Sequence, residues 1–364
     1  MFQRAVLIPV LFAAILPVFL HAQVLTPDTV VTMKAKVVEV VSEERHKVPG
    51  TDVENNYQTI KVEVLDGPEK GNVVTVENDF LGMHPGDIFY LQHTKNALDA
   101  TDYYVVSEPY RLPALALLGA LFVGVVLIFG GWQGLRGLIS LIASLFFIVV
   151  LLLPGILRGY PPVLLSIGVS SLIVGISSFV THGFNRTTST AVLGMIATLI
   201  ITGVLSYLAI PFAHLSGFNT EETAYLNIDT RGVLDFAGLL VSGIMIGTLG
   251  VLYDAAIGQA IAVEELASAG AHLSRTEVYR RALRIGREHI GALVNTLAIA
   301  YVGVSLPLLL LFYGFGSDTI ILALNRELFA TEIVRAIIGS IGLILAVPIT
   351  TLVASYFLVK SSKA

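Results

Sequence analysis

Leu112–Gly130 reads LPALALLGALFVGVVLIFG, nineteen residues without a single charge. At about 1.5 Å per residue, a helix of that length covers the roughly 30 Å hydrocarbon core of a bilayer. Inside lipid an unpaired backbone amide costs several kcal/mol, so such a run is expected to be helical. The same reading recurs along the chain. Leu135–Leu153, Pro162–Val180, Thr190–Ile210, Val233–Tyr253, Ile290–Tyr313 and Ile333–Leu358 are further apolar runs of spanning length. Pro154–Pro162 supplies the turn between the second and the third. The expectation is therefore an α-helical polytopic membrane protein with about seven spans over residues 111–364.

Composition agrees. Of 364 residues, 55% are hydrophobic and only 13% charged, against about 25% in a typical soluble domain. The net charge of −5 is mild. No cysteine is present, so disulfides, thiolate nucleophiles and cysteine metal sites are excluded.

Ahead of the first span the character changes. Residues 1–23 carry Arg4, then an apolar Ala5–Leu20 core, and Ala22 before Gln23. This reads as a secretory signal peptide or an uncleaved signal anchor, and either sends the next segment out of the cytoplasm. Residues 24–110 show strand patterning at Lys34–Val41, Thr59–Leu65, Asn72–Val76, Asp87–Gln92 and Tyr103–Val106, with turn residues at Asp66-Gly67-Pro68, Lys70-Gly71 and Pro85-Gly86-Asp87. Five short strands suggest a small barrel-like, OB-like extracytoplasmic domain, closed or half-open. Seven Lys/Arg against fifteen Asp/Glu make it strongly acidic, which disfavours nucleic acid. His84 and His93 lie among the acids but without ligand spacing, so no metal, cofactor or catalytic residue is assigned.

Loop charge gives an orientation. With residues 24–110 outside, the inner segments hold Arg136, Arg186, Arg275, Arg280, Arg281, Arg284, Arg287, Lys360 and Lys363. The outer loops hold only Arg158, Arg231 and Arg326. Nine against three follows the positive-inside rule and places the C-terminus in the cytoplasm. In the long inner segment, Ser274-Arg275-Thr276-Glu277 is a capping box that should open an amphipathic helix near 274–286. Its basic side suits an anionic lipid surface or an anionic ligand.

Polar residues near or within the later spans are functional candidates by default: Asp254, Gln259, Arg287, Asn295, Tyr301, Asn325, Glu327, Glu332 and Arg335. Glu332 and Arg335 are i,i+3 partners able to pair. Asn295 either bonds a neighbouring helix or lines a polar path. Gly243, Gly247 and Gly250, like Gly339 and Gly342, share helix faces and permit close packing. The fifth, sixth and seventh spans should therefore form one group, with Asp254, Asn295 and Arg335 facing its interior.

These residues carry a resemblance. Gly250…Asp254, Gly286-Arg287-x-x-x-Gly291, Asn295-Thr296-Leu297-x-x-Ala300-Tyr301-x-Gly303, Asn325-x-Glu327, Glu332-Ile333-x-Arg335, Gly339-Ser340-Ile341-Gly342 and Pro348-Ile349-Thr350 together resemble the YibE/F-like multi-span membrane proteins of bacteria. Where that family usually shows Gly-Arg-Asp, this chain has Gly286-Arg287-Glu288, one methylene longer. The resemblance implies a bacterial inner-membrane protein with an extracytoplasmic domain, and no settled activity.

Two functions are expected from these features. One is a passive or ion-coupled transporter or channel for a small solute or ion. The other is a non-transporting envelope scaffold or receptor that binds a partner through the β domain. No hydrolase, P-loop or dinucleotide fingerprint points to an enzyme. The expected partners are the lipid bilayer, a small solute or ion and, under the second reading, an extracytoplasmic protein. The Gly-rich faces leave room for an oligomer.

Overall fold

The computed structural model describes residues 29–47, 50, 52, 54–79, 81–96, 101–270, 272–315 and 319–359. The signal segment 1–23, and Lys360 and Lys363, lie outside them. The chain divides into two compact units, residues 1–121 and 122–364.

The first unit is a curled antiparallel sheet, half of a barrel. Its strands are β1 (Thr29–Lys47), β2 (Glu54–Val64), β3 (Val73–Asn78), β4 (Ile88–Lys95) and β5 (Asp102–Pro109), in the order β3-β2-β1-β4-β5. Alternation decides the core. Met33, Ala35 and Val37 of β1 point inward with Ile60, Val62 and Val64 of β2, and Phe89 and Leu91 of β4 close over them. Register shifts at Val37/Glu39 and Val40/Ser42 are the bulges that increase local twist. The expected strands all form, and β1 is more than twice its expected length. Polar Ser42–Lys47 extends it by pairing with Glu54–Thr59 rather than by burial.

The second unit is helical. Helix α1 (Leu112–Phe147), a π-helical turn (Ile148–Leu152) and α2 (Leu153–Leu157) make one 46-residue run. Straight, it would reach about 69 Å, twice the bilayer core. It is not straight. Gly131 adopts φ 53°, ψ −137°, and a Cβ on Gly134 would lie 2.5 Å from the Val126 carbonyl oxygen. Eight residues apart on a continuous helix, those positions would stand about 12 Å apart along the axis, so the chain turns sharply at Gly131. The first two expected spans are thus the two limbs of one broken helix.

Next come α3 (Pro162–His182), α4 (Arg186–Phe212), the short α5 (Glu221–Asp229), α6 (Phe236–Ala269), α7 (Arg275–Val304), α8 (Leu306–Phe315), α9 (Ile320–Asn325) and α10 (Glu327–Leu358). Among the described residues, five helical runs are long and apolar enough to cross a membrane, and α7 with α8 makes a sixth bent by 63°. Counting the limbs of α1–α2 singly restores seven.

The capping box forms as expected, with Ser274 Oγ accepting from the Glu277 amide and Glu277 Oε2 from the Ser274 amide. The helix then continues unbroken to Val304. The amphipathic segment and the start of the sixth span are therefore one continuous helix. The apolar run Ile290–Tyr313 is divided at Ser305, where α8 turns away.

Side-chain neighbours fix helix directions. Gly194 of α4 abuts Thr350 of α10, and Thr202 abuts Gly342, so these helices are antiparallel. Arg335 lies by Gly243 and Gly339 by Thr248, so α6 runs parallel to α10. Gln259 meets Gly286 and Gly247 meets Tyr301, so α7 opposes α6. The core between them mixes large apolar side chains with small residues and hydroxyls. Met195, Leu199, Ile244 and Met245 are almost wholly buried, and so are Ala191, Ala256, Ala260, Thr198, Thr350 and Ala354.

Candidate functional site

The candidate residues fall at two levels of the α6–α7–α10 group. At the first, Gln259 is buried and its amide Nε2 donates to the Ala282 carbonyl across to α7 at 2.7 Å. Gly286 makes that approach possible, because a Cβ there would meet the Gln259 amide oxygen at 2.6 Å and also the Val347 side chain. One turn above Gln259, Asp254 stands between two clefts. One, of about 300 Å3, is lined by Asp254, Gln259, Gly286 and His289. The other, of about 530 Å3, opens toward α1 and α3 and is lined by Asp254, Tyr253, Ser140, Ser144, Ser177 and Thr181. The Tyr253 hydroxyl is buried without a hydrogen-bond partner.

At the second level Glu332 and Arg335 pair at 3.3 Å, as their spacing predicts. Ser305, at the break between α7 and α8, reaches Glu332 Oε2 at 3.5 Å. Arg335 Nε and the Tyr301 hydroxyl are buried and unpartnered. The Tyr301 oxygen fits where Gly247 lacks a side chain, 2.9 Å from the position a Cβ would take. Orphaned polar atoms of this kind each cost about 1–3 kcal/mol, so the seam of α6, α7 and α10 holds polar groups that its own side chains leave unsatisfied. Close by is a cleft of about 390 Å3 lined by Asn219, Thr223, Thr331, Gly243 and Arg335.

Glu327 has a different role. Its Oε1 accepts from the amides of Ser216 and Gly217 at 2.6 and 2.8 Å, and from Ser216 Oγ at 2.8 Å. Asn219 continues the tie by donating to Thr331 Oγ1 at 2.8 Å. The loop after α4 is thereby fastened to the head of α10.

Three candidates stand apart. Asn295 faces outward from α7, away from the group whose interior it was expected to enter. Its side of the helix continues the outward row of Arg280, Arg284, Arg287 and Gly291. Arg287 is likewise exposed, and Asn325 lies exposed on α9 beside a shallow depression.

Sequence reasoning missed the part played by α4, which packs between α6 and α10. Thr198, Thr202 and Ser206 lie at four-residue spacing and are buried. That period was a legible signal for a buried hydroxyl face. In the sheet unit His93 places Nδ1 2.8 Å from Glu69 and Nε2 2.9 Å from Asp102, and stacks on Tyr104. Its two nitrogens thus address separate carboxylates. No group of three or more His, Asp or Glu placed to hold a metal occurs among the described residues.

A family model described as YibE/F-like protein matches residues 118–360. Comparison with curated proteins and with solved structures gave no match.

Proposed function

The chain belongs to the YibE/F-like family, and from that membership in a family of membrane proteins we propose that it passes a small solute or ion across the bacterial inner membrane. The observation that supports this is the pair of polar levels on the same helices. The Arg335 level meets α6 at Gly243, and Asp254 lies eleven residues further on, about 16 Å along the axis. Clefts reach both. Charged groups at two depths of one helix group, separated by a glycine-lined seam, are the arrangement by which membrane proteins hold a polar solute away from lipid.

In this reading the sheet unit is extracytoplasmic, the C-terminus is cytoplasmic, and the limbs of α1–α2 cross separately. The basic residues of α7, Arg280, Arg281, Arg284 and Arg287, are outward-facing and suit the anionic inner leaflet.

The test is flux through purified protein in liposomes, screened across small ions and solutes. Asp254→Asn and Arg335→Gln should each lower the initial rate by about tenfold or more, since either removes a charge that lines a cleft. Normal flux in folded variants would overturn the assignment.

One observation favours a second reading. The sheet unit has its own closed apolar core and hence the build of a binding module. If it serves as a receptor, deleting residues 24–110 abolishes capture of an extracytoplasmic partner. Under the transport reading, flux survives that deletion at least in part.

A further inference from the structure

We propose that the cleft beside Arg335 is a binding site for a small organic monoanion, a carboxylate or sulfonate on a short apolar body. The assignment rests on the transport reading for its purpose, but its chemistry is carried by the cleft itself. About 390 Å3 is room for a solute of a few to a dozen heavy atoms. Arg335 shares the lining with the polar side chains of Asn219, Thr223, Ser242 and Thr331, and with apolar Leu152, Ile156, Leu239 and Ile246.

Among the described residues, no acidic side chain lines the cleft. The guanidinium is its single charge, and Glu332 meets that group at Nη2, from outside the lining. The other branch, Nη1, lies over Gly243, 3.5 Å from where a Cβ would stand. The absent side chain leaves this edge open to the cleft.

Glu332 already balances the guanidinium, so a monoanion adds one net negative charge to the pair and a dianion would add two, which the site tolerates less. The apolar lining disfavours small inorganic anions, which hold their water strongly, and rewards each buried methylene.

The experiment measures equilibrium binding of labelled 1-propanesulfonate, ionised at every working pH, to the purified full-length protein in detergent. Saturable binding is expected, displaced by butyrate and not by its uncharged analogue butyramide. Arg335→Gln should weaken it by about tenfold or more, the value of one charge-assisted contact. Gly243→Val, which keeps the charge but screens it, should weaken it comparably. Should Arg335→Gln misfold because Glu332 is left unpaired, Glu332→Gln/Arg335→Gln and Gly243→Val carry the test.

No saturable binding to folded wild type, equal competition by butyramide, or unchanged affinity in the folded variants would overturn the site. Liposome flux separates this from the broader reading. Propanesulfonate binding with no flux of any solute upholds the site and removes transport. Flux of another solute with no propanesulfonate binding removes the site and upholds transport.

Discussion

At Glu327 one carboxylate gathers two backbone amides and a hydroxyl from the loop after α4. Charge-assisted bonds are about twice as strong as neutral ones. Glu327→Gln keeps the shape and removes the charge, and should destabilise the protein by about 1–2 kcal/mol, read from denaturation in mixed micelles. Tyr104 offers a sharper residue-level check. Burial, then its hydrogen bond to Glu69 and the nearby charges of Glu69 and Asp102, push its hydroxyl up to about 12. Ordinary tyrosine titrates near 10. A group raised on folding contributes stability that is whole below the unfolded value and lost as pH climbs through the folded one. Tyr104 therefore contributes fully below about pH 10 and nothing above about 12. Difference absorbance against Tyr104→Phe should show the late titration. Glu69→Gln should move it down without restoring 10, because burial remains. The Glu332–Arg335 pair was legible as i,i+3 spacing. The outward direction of Asn295 was not, because period locates a face while only packing says what the face meets.

Among the elements, the break at Gly131 matters most. A residue with φ 53° and ψ −137° is in territory that only glycine enters cheaply. Gly131→Ala should cost about 1–3 kcal/mol and open the bend. Spin labels at Val126 and Gln133 should move apart, and an unchanged distance would mean the turn is held by other contacts. This bend explains why apolar runs gave seven spans while the helical runs number fewer. Hydropathy sees length and charge, and Gly130-Gly131 left the two runs distinct in sequence while the helix resumes directly beyond them. The basic segment Arg275–His289 is continuous with the helix of the sixth span, and Gly286 and Ala282 let it dock on α6.

Taken whole, the molecule has two separate apolar cores, one in the sheet and one in the helices. Fold class and the partners α6, α7 and α10 could be read from composition, alternation and glycine spacing. The packing of α4 against both α6 and α10 was missed, although the four-residue spacing of Thr198, Thr202 and Ser206 was there to be read. Sidedness can be measured directly, since the chain has no cysteine. Single substitutions Ser42→Cys, Gln133→Cys and Ser268→Cys should divide under an impermeant maleimide applied to intact cells. Ser42→Cys should react, and the other two should stay protected. Reaction at Gln133→Cys would mean that α1–α2 crosses only once.

The buried hydroxyls also bear on motion. Thr198, Thr202 and Ser206 each donate to a carbonyl four residues back in α4, and Thr351 does the same in α10. These four hydroxyls are thus satisfied within their own helices. Among the described residues no hydrogen bond ties α4 itself to α10, and what resists their displacement is the interlock of Thr202 with Gly342 and of Thr350 with Gly194, together with the Glu327 tie to the loop after α4. A joint of that kind works like a ratchet with shallow teeth, held by a latch at one end. Once the latch is released, sliding by one notch costs steric work, and the backbone of neither helix need open to allow it.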